Sequence, residues 1–388
     1  MPLLNTHLEQ VDDSALARID SAVAGSRPDD VIRLHQGKTW FPPCWSPRPW
    51  GRDEFELLAH EHAPPAGVRS VRTALADRIR QRYGRAVDPD DVVIVNGATH
   101  GIAAGLRCVL EPGAEVLVPS PQWLFATGLV VAAGGVPVEV PVFLELDTDP
   151  RFDFVAALEA HVTPRTRALY FNTPNNPTGF ALDESRLAEL AGFAQRHDLW
   201  IFADNAYEDY DFSRGGFRDI GSLGAAAGRT FSVFTFSKSY AMPGHRVGYV
   251  VAPEGLGGRL VNSVLYSAYS VATTSQFAAL RALGTSRQEM LARGRLVEGA
   301  WHSVHASLEP PHTRAEGGLY TFLDLAGWPA GPDDFLGCCL AAGVTLAPGR
   351  SFGRHCSGWA RLCFAAVRPE VLHEGIARVN QVWARGGT

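Results

Sequence analysis

Lysine is nearly absent from this chain: of its 35 basic residues only Lys38 and Lys238 are lysine, and the rest are arginine. Arginine cannot take over where an amine must lose its proton and attack carbon, so the two lysines mark candidate chemistry. Lys238 lies in Thr235-Phe236-Ser237-Lys238-Ser239-Tyr240-Ala241-Met242-Pro243-Gly244-His245-Arg246-Val247-Gly248. That segment starts where an apolar run, residues 231–236, ends, and open α/β sheets place their ligand sites at strand ends. An amine held there with Arg246 eight positions on would have its pKa lowered and could form a Schiff base. Thr235, Ser237 and Arg246 are suitable partners for a phosphate. Asp204 closes another apolar run, residues 199–203, and is either a buried partner for a ligand or a turn cap. Ala98 and Thr99, after Asn96-Gly97, open a helical stretch whose first N–H groups could receive an anion.

Other chemistries lack their signatures. There is no G-x-G-x-x-G, no P-loop, no H-E-x-x-H and no G-x-S-x-G. His302 and His305 read as a surface pair on one helix face.

The elements that must position these residues alternate short β-branched runs with amphipathic stretches, the pattern of an α/β protein. Strands are expected at 92–95, 115–118, 136–140, 168–172, 200–203, 231–236 and 247–251, seven in all, forming a mostly parallel sheet flanked by helices. A helix is expected to begin around Pro121, and Val68, Val71, Leu75 and Ile79 share a helix face. Helical material from 254 to about 308 is followed by strands at 320–323, 344–346 and 361–364 and a closing helix, a smaller α+β domain. The expected division is 1–45 as an N-terminal segment of the smaller domain, 46–283 as the large domain and 284–388 as the small C-terminal domain. Hydrophobic content of 46% over 388 residues suits a globular chain with a large core. A net charge of -6 argues against nucleic acid as a partner. No apolar run is long enough to span a membrane, residues 1–11 lack a secretory signal, and six cysteines without a C-x-x-C pair point to a reducing, cytoplasmic setting.

The segment 237–248, S-K-S-Y-A-M-P-G-H-R-V-G, resembles the cofactor-lysine motif of the fold-type I pyridoxal-phosphate enzymes, specifically the class I/II aminotransferases of the aspartate aminotransferase type. Asn172-Thr173-Pro174-Asn175-Asn176-Pro177-Thr178-Gly179 resembles their N-P-x-N-P-T-G turn, and Asp204-Asn205-Ala206-Tyr207 their D-x-x-Y segment. Gly97-Ala98-Thr99-His100, Pro348-Gly349-Arg350-Ser351-Phe352-Gly353 and Arg361-Leu362-Cys363-Phe364-Ala365 resemble three further blocks, all in family order. The resemblance runs from about Leu34 to the last helix.

It implies that Lys238 holds pyridoxal 5'-phosphate as an internal aldimine and shuttles the substrate Cα proton. By the same resemblance Asp204 pairs with the pyridine nitrogen, and Tyr207 and Asn176 bond its 3-oxygen. Ala98, Thr99, Thr235, Ser237 and Arg246 hold the phosphate, and Trp123 stacks on the ring. Arg361 clamps the substrate carboxylate, and Gly37 sits at the substrate mouth. Departures are Lys38 where an acidic residue is usual, Trp40, Phe41 and Trp45 crowding that segment, and Thr235 where serine or glycine is usual. His62 is a further departure, standing where family members often carry a tyrosine that reaches the neighbouring subunit's phosphate; the resemblance itself implies a homodimer with shared sites. The implied activity is amino transfer from an L-amino acid to a 2-oxo acid. The fold also hosts β-elimination of a sulfur substituent, decarboxylation and cyclisation, and the unusual mouth keeps such a lyase as the alternative.

Overall fold

A computed structural model of the protein describes residues 15–24, 31–43, 62–314 and 316–386, so Cys44 and Trp45 lie outside the described residues. After α1 (Ala15–Ala24) and the short β1 (Ile32–Arg33), helix α2 spans Arg69–Tyr83. Val71, Leu75 and Ile79 bury one face of α2, and Val68 precedes it as N-cap. Gly84, in the left-handed region at φ 68, ends it by returning its N–H to the Arg80 carbonyl.

Seven strands follow: β2 (Val92–Val95), β3 (Glu115–Ser120), β4 (Val136–Pro141), β5 (Thr166–Asn172), β6 (Trp200–Asp204), β7 (Thr230–Thr235) and β8 (Gly248–Val251). Their order in one sheet is β2-β8-β7-β6-β5-β3-β4. All neighbours are parallel except β8, which runs antiparallel to β2 and β7. Every residue of β2, β3, β7 and β8 is buried, as helices on both faces require, whereas the edge strand β4 is partly open and leaves Val136 exposed. Helices α3 (Gly97–Val109), α4 (Ala126–Ala132), α5 (Phe143–Thr148), α6 (Phe154–Glu159) and α7 (Glu184–Arg196) fill the connections. Asp153 and Asp183 cap α6 and α7 by accepting from first-turn N–H groups.

The helix expected from Pro121 begins five residues later, at Ala126. Strand β3 runs on through Pro119 to Ser120, the Gln122 N–H is taken by the Phe352 carbonyl at 2.9 Å, and the Ala126 N–H closes a turn on the Trp123 carbonyl at 2.8 Å, so 121–125 are a docked turn ahead of the helix.

Helices α8 (Gly257–Ala268), α9 (Thr273–Leu283) and α10 (Arg287–Ser307) lead to β9 (Tyr320–Asp324), α11 (Pro332–Ala341), β10 (Val344–Thr345), β11 (Ala347–Pro348), β12 (Trp359–Cys363) and α12 (Pro369–Gly386). Strands β11, β12 and β9 form an antiparallel sheet, and β10 pairs parallel with β1. One apolar cluster joins this region to the turn after β6, through Tyr207 and Tyr210 packed with Leu319, Tyr320 and Phe364. His302 is exposed, but His305 is half-buried with its Nδ1 3.1 Å from His312 Nε2, so the two do not form a surface pair. Burial, then the charge of His312, pushes His305 down to about 4.

Candidate active site

Strand ends and a helix start converge on one cavity of about 240 Å³. Asp204 ends β6, Thr235 ends β7, Lys238 follows it by three residues, and Ala98 and Thr99 lie in the first turn of α3. All five line the cavity, together with Gly37, Trp123, Asn176, Tyr207, Ser237, Arg246 and Arg361. The cavity thus brings together residues up to 324 positions apart, from Gly37 to Arg361.

The Lys238 amine donates to the Gly37 carbonyl at 2.6 Å and lies 5.9 Å from the Tyr207 ring centre. Burial above all brings it down to about 8, helped by the charges of Arg361 and Arg246 and opposed by Cys363 and Asp204. Desolvation, more than a neighbouring cation, therefore lowers this amine. Asp204 is buried, accepts from the Tyr170 hydroxyl at 3.1 Å and from the Ala206 N–H at 3.2 Å, and is pushed up by burial to about 6. The side chain of Asn176 bridges the Tyr207 hydroxyl at 3.3 Å and Arg361 at 2.9 Å.

Arg361 is 1% exposed, gives its other amine to the His35 carbonyl at 2.7 Å and leaves Nε without a partner. Its guanidinium lies 4.3 Å from the Tyr320 ring centre and 4.7 Å from that of Phe352. Among the described residues no carboxylate pairs with it, so no salt bridge accounts for its burial. At the opposite end no side chain caps α3, whose first-turn residues Ala98 and Thr99 line the cavity. Arg246, itself in the left-handed region at φ 48, reaches the Asn96 carbonyl at 3.3 Å beside them. Thr235 donates its hydroxyl to Ser237 at 2.9 Å.

Lys38 and Trp40 are not part of the lining. Lys38 is exposed, and Trp40 packs on the apolar cluster with its ring 5.7 Å from that of Phe41 and 6.0 Å from the Arg368 guanidinium. The aromatic wall is instead Trp123, Phe125 and Tyr320, with Leu124 between the first two. Tyr320 escaped the sequence reading because an aromatic residue opening a strand looks like ordinary core. Gly37 held a usable signal, since a Cβ there would collide with the Tyr320 hydroxyl. His62 is exposed, its ring 5.0 Å from that of Tyr269.

An amine, a buried carboxylate, an anion-binding helix end and an unpaired guanidinium fit an aldehyde-bearing pyridine phosphate and a carboxylate substrate. The family model for aminotransferase class I and II matches residues 58–379. The chain belongs to the class I and II aminotransferases. These enzymes depend on pyridoxal 5'-phosphate, and this aminotransferase is similar along nearly its whole length to several of them. It is 31% identical to the aromatic-amino-acid aminotransferase 2 of Thermococcus litoralis, over 98% of each chain. It is 34% identical to the arginine–pyruvate transaminase of Pseudomonas aeruginosa, over 94% of this chain and 91% of that one. Among solved structures, the aspartate aminotransferase from Thermus thermophilus with maleate superposes with a TM-score of 0.87 at 27% identity, covering 98% of this aminotransferase and all of that chain. Those three names carry three different substrates, so the family does not fix the side chain this aminotransferase accepts. Among the described residues, no helix is long and apolar enough to cross a membrane.

Proposed function

We propose that Lys238 is the residue that holds the cofactor covalently and then moves the proton at the substrate Cα, in amino transfer from an L-amino acid to a 2-oxo acid. The observation that carries this reading is the pairing, on one cavity, of a lysine amine lowered to about 8 with a buried guanidinium that lacks a carboxylate partner. Pyridoxal 5'-phosphate, when bound, supplies an electron-withdrawing ring that allows an amino group to be exchanged for a carbonyl oxygen. Asp204 serves the ring nitrogen, and the helix end at Ala98 and Thr99 with Thr235, Ser237 and Arg246 serves the phosphate. Trp123 covers one ring face, while Asn176 and Tyr207 orient the cofactor from the side. Arg361 receives the substrate's α-carboxylate as a two-pronged donor, backed by Asn176, and Gly37 closes the mouth.

The rest of the lining gives the substrate class. Lys238, Arg246 and Arg361 are the cavity's cations, and each is already assigned, whereas Leu124, Phe125 and Tyr320 offer an apolar wall. An amino acid with one carboxylate and an apolar side chain fits that arrangement. A homodimer belongs to the same proposal, supported by exposed Tyr266 and by exposed Tyr269, which lies beside His62. So does a reducing, cytoplasmic setting, supported by free thiols at Cys108, Cys338, Cys339, Cys356 and Cys363. The division at 45 and 283 is also retained, with the β1–β10 pairing in support of an N-terminal segment that joins the smaller domain.

The test starts from the full-length protein incubated with pyridoxal 5'-phosphate and reduced with borohydride, followed by peptide mapping. Cofactor mass on Lys238 supports the assignment, and its absence there sinks it. Adding single amino acids without any oxo acid then decides the reaction. Loss of the cofactor's visible band with stoichiometric oxo acid supports amino transfer, whereas a lasting band with repeated ammonia release would mean elimination.

A further inference from the structure

The turn that carries Tyr207 is gripped from outside the cavity. Tyr207, Glu208, Asp209 and Tyr210 are consecutive, and the turn closes on a bond from the Tyr210 N–H to the Tyr207 carbonyl at 2.8 Å. Tyr207 faces the cavity, whereas Glu208 and Asp209 pair with arginines of α2. Arg78 donates to Glu208 Oε1 at 2.9 Å, and Arg82 pairs with Asp209 and also donates to the Glu208 carbonyl at 3.0 Å. The Tyr83 hydroxyl bonds the other oxygen of Glu208. Two arginines thus face two carboxylates, and the charge balances inside the cluster. Burial works against ionising Asp209, yet Arg82 and Arg78 hold its carboxyl below the ordinary range. Withdrawing any one member leaves a buried charge uncompensated, and that penalty locks the turn to α2.

The fourth residue of the turn reaches the lysine. Tyr210, 1% exposed, donates its hydroxyl to the backbone carbonyl of Lys238 at 3.2 Å. That carbonyl also accepts the Ala241 N–H at 3.0 Å, and Ala241 sits in the left-handed region at φ 52. Arg78 lies over the ring of Tyr240, 5.8 Å from its centre, so α2 touches the lysine-bearing segment as well. We propose that Tyr210, held to α2 through Glu208 and Asp209, is a positioning residue for Lys238, fixing the backbone from which the amine enters the cavity beside Tyr207. The inference rests on the reading of Lys238 as the cofactor lysine and adds the device that places it.

Its physical consequence is measurable in the cofactor-free chain. The groups facing the amine are the Gly37 carbonyl, the Tyr207 ring, and the charges of Cys363, Arg361, Asp204 and Arg246, with burial the dominant influence. A Lys238 backbone released from Tyr210 lets the amine reach water, and it then returns from about 8 toward its ordinary 10.5. A midpoint moved from about 8 to about 9 cuts the unprotonated share at pH 8 about fivefold.

Competitive acetylation of the cofactor-free, full-length protein with acetic anhydride, read by peptide mass spectrometry, reports this directly. The chain has one other lysine, the exposed Lys38, as internal standard. Measured over a pH range that extends below about 8 and above 10.5, the Lys238 midpoint is expected to rise in Tyr210→Phe and in the charge-neutral double variant Arg78→Gln/Glu208→Gln. The control is Ile79→Val, which loosens the buried face of α2 without touching the ion pairs, and its midpoint is expected to match the wild type. Unchanged midpoints in Tyr210→Phe, or an equal rise in Ile79→Val, would overturn the proposal. Borohydride trapping in the wild type is scored separately, so failure of Lys238 as cofactor lysine is distinguishable from failure of Tyr210 as its positioner.

Discussion

At the scale of single residues, the cavity is governed by what burial does to ionisable groups. Lys238 holds its proton less tightly in the folded chain than in the unfolded one, about 8 against 10.5. Between those values the unfolded chain binds the extra proton, so the lysine's contribution to stability is fully present above about 10.5 and is lost as the pH falls to 8. Cofactor-free Lys238→Met should therefore melt above the wild type below pH 8 and lose that advantage by about 10.5; parallel melts at several pH values check this. The proposed preference for an apolar side chain is argued at the same scale. Phe125 is 40% exposed at the cavity wall, with its ring edge-on to Trp123 at 5.3 Å. Truncating it removes an apolar contact worth about 1–3 kcal/mol to a bulky side chain. Phe125→Ala is expected to lower kcat/KM for an aromatic donor by about tenfold or more and to leave that for alanine nearly unchanged. Equal losses for both donors would remove Phe125 from the specificity wall.

At the scale of elements, the proposed phosphate end depends on how closely a helix start and a strand end approach each other. Gly97 opens α3 at φ 77, and a Cβ there would come within 2.8 Å of Arg246 Nη2. Gly97→Ala is thus strained twice, in its own backbone and against the guanidinium. Its expected effect is weaker cofactor affinity, by about tenfold if one charge-assisted phosphate contact is lost, measured by titrating the apo-protein with pyridoxal 5'-phosphate. These elements were legible in the sequence because the strands are short apolar runs and some carry a site residue just past their ends, as with Asp204 after 200–203 and Lys238 after 231–236. The start of helix α4 was not, because nothing local marks 121–125 as a turn that follows β3 and docks on the distant Phe352 carbonyl. The two-residue strands β1 and β11 were also hidden, since pairing so brief leaves no periodicity to read. Nearness to Gly37 in the sequence places Lys38 and Trp40 at the mouth, but the turn at 34–36 leaves Lys38 exposed and packs Trp40 on the apolar cluster.

At the scale of the whole molecule, the site exists only because distant parts of the chain close over it. Strand β1 pairs with β10, and the residues just after β1 give the His35 carbonyl to Arg361 and the Gly37 carbonyl to Lys238. The smaller sheet adds Tyr320, whose hydroxyl lies 2.9 Å from that of Tyr207. No sequence pattern announces those closures, because they join residues separated by more than a hundred positions. A cofactor seated there touches the large sheet, the turn after β6 and the segment leading from β1, so it should stabilise all of them at once. A ligand that binds only the folded state stabilises by RT ln(1 + [L]/Kd), about 2.7 kcal/mol at a hundredfold excess over Kd. For a chain of 388 residues that corresponds to a rise in melting temperature of a few degrees, about 2–6 °C. In Lys238→Ala the phosphate and ring contacts persist while the covalent hold is gone, so the rise should shrink without vanishing. In Arg361→Ala, which is assigned to the substrate, the cofactor-dependent rise should stay close to that of the wild type even as turnover collapses. Scanning calorimetry of the three proteins with and without pyridoxal 5'-phosphate separates these roles. A full-sized rise in Lys238→Ala would show that the lysine is not what holds the cofactor, and a lost rise in Arg361→Ala would move the arginine from substrate to cofactor.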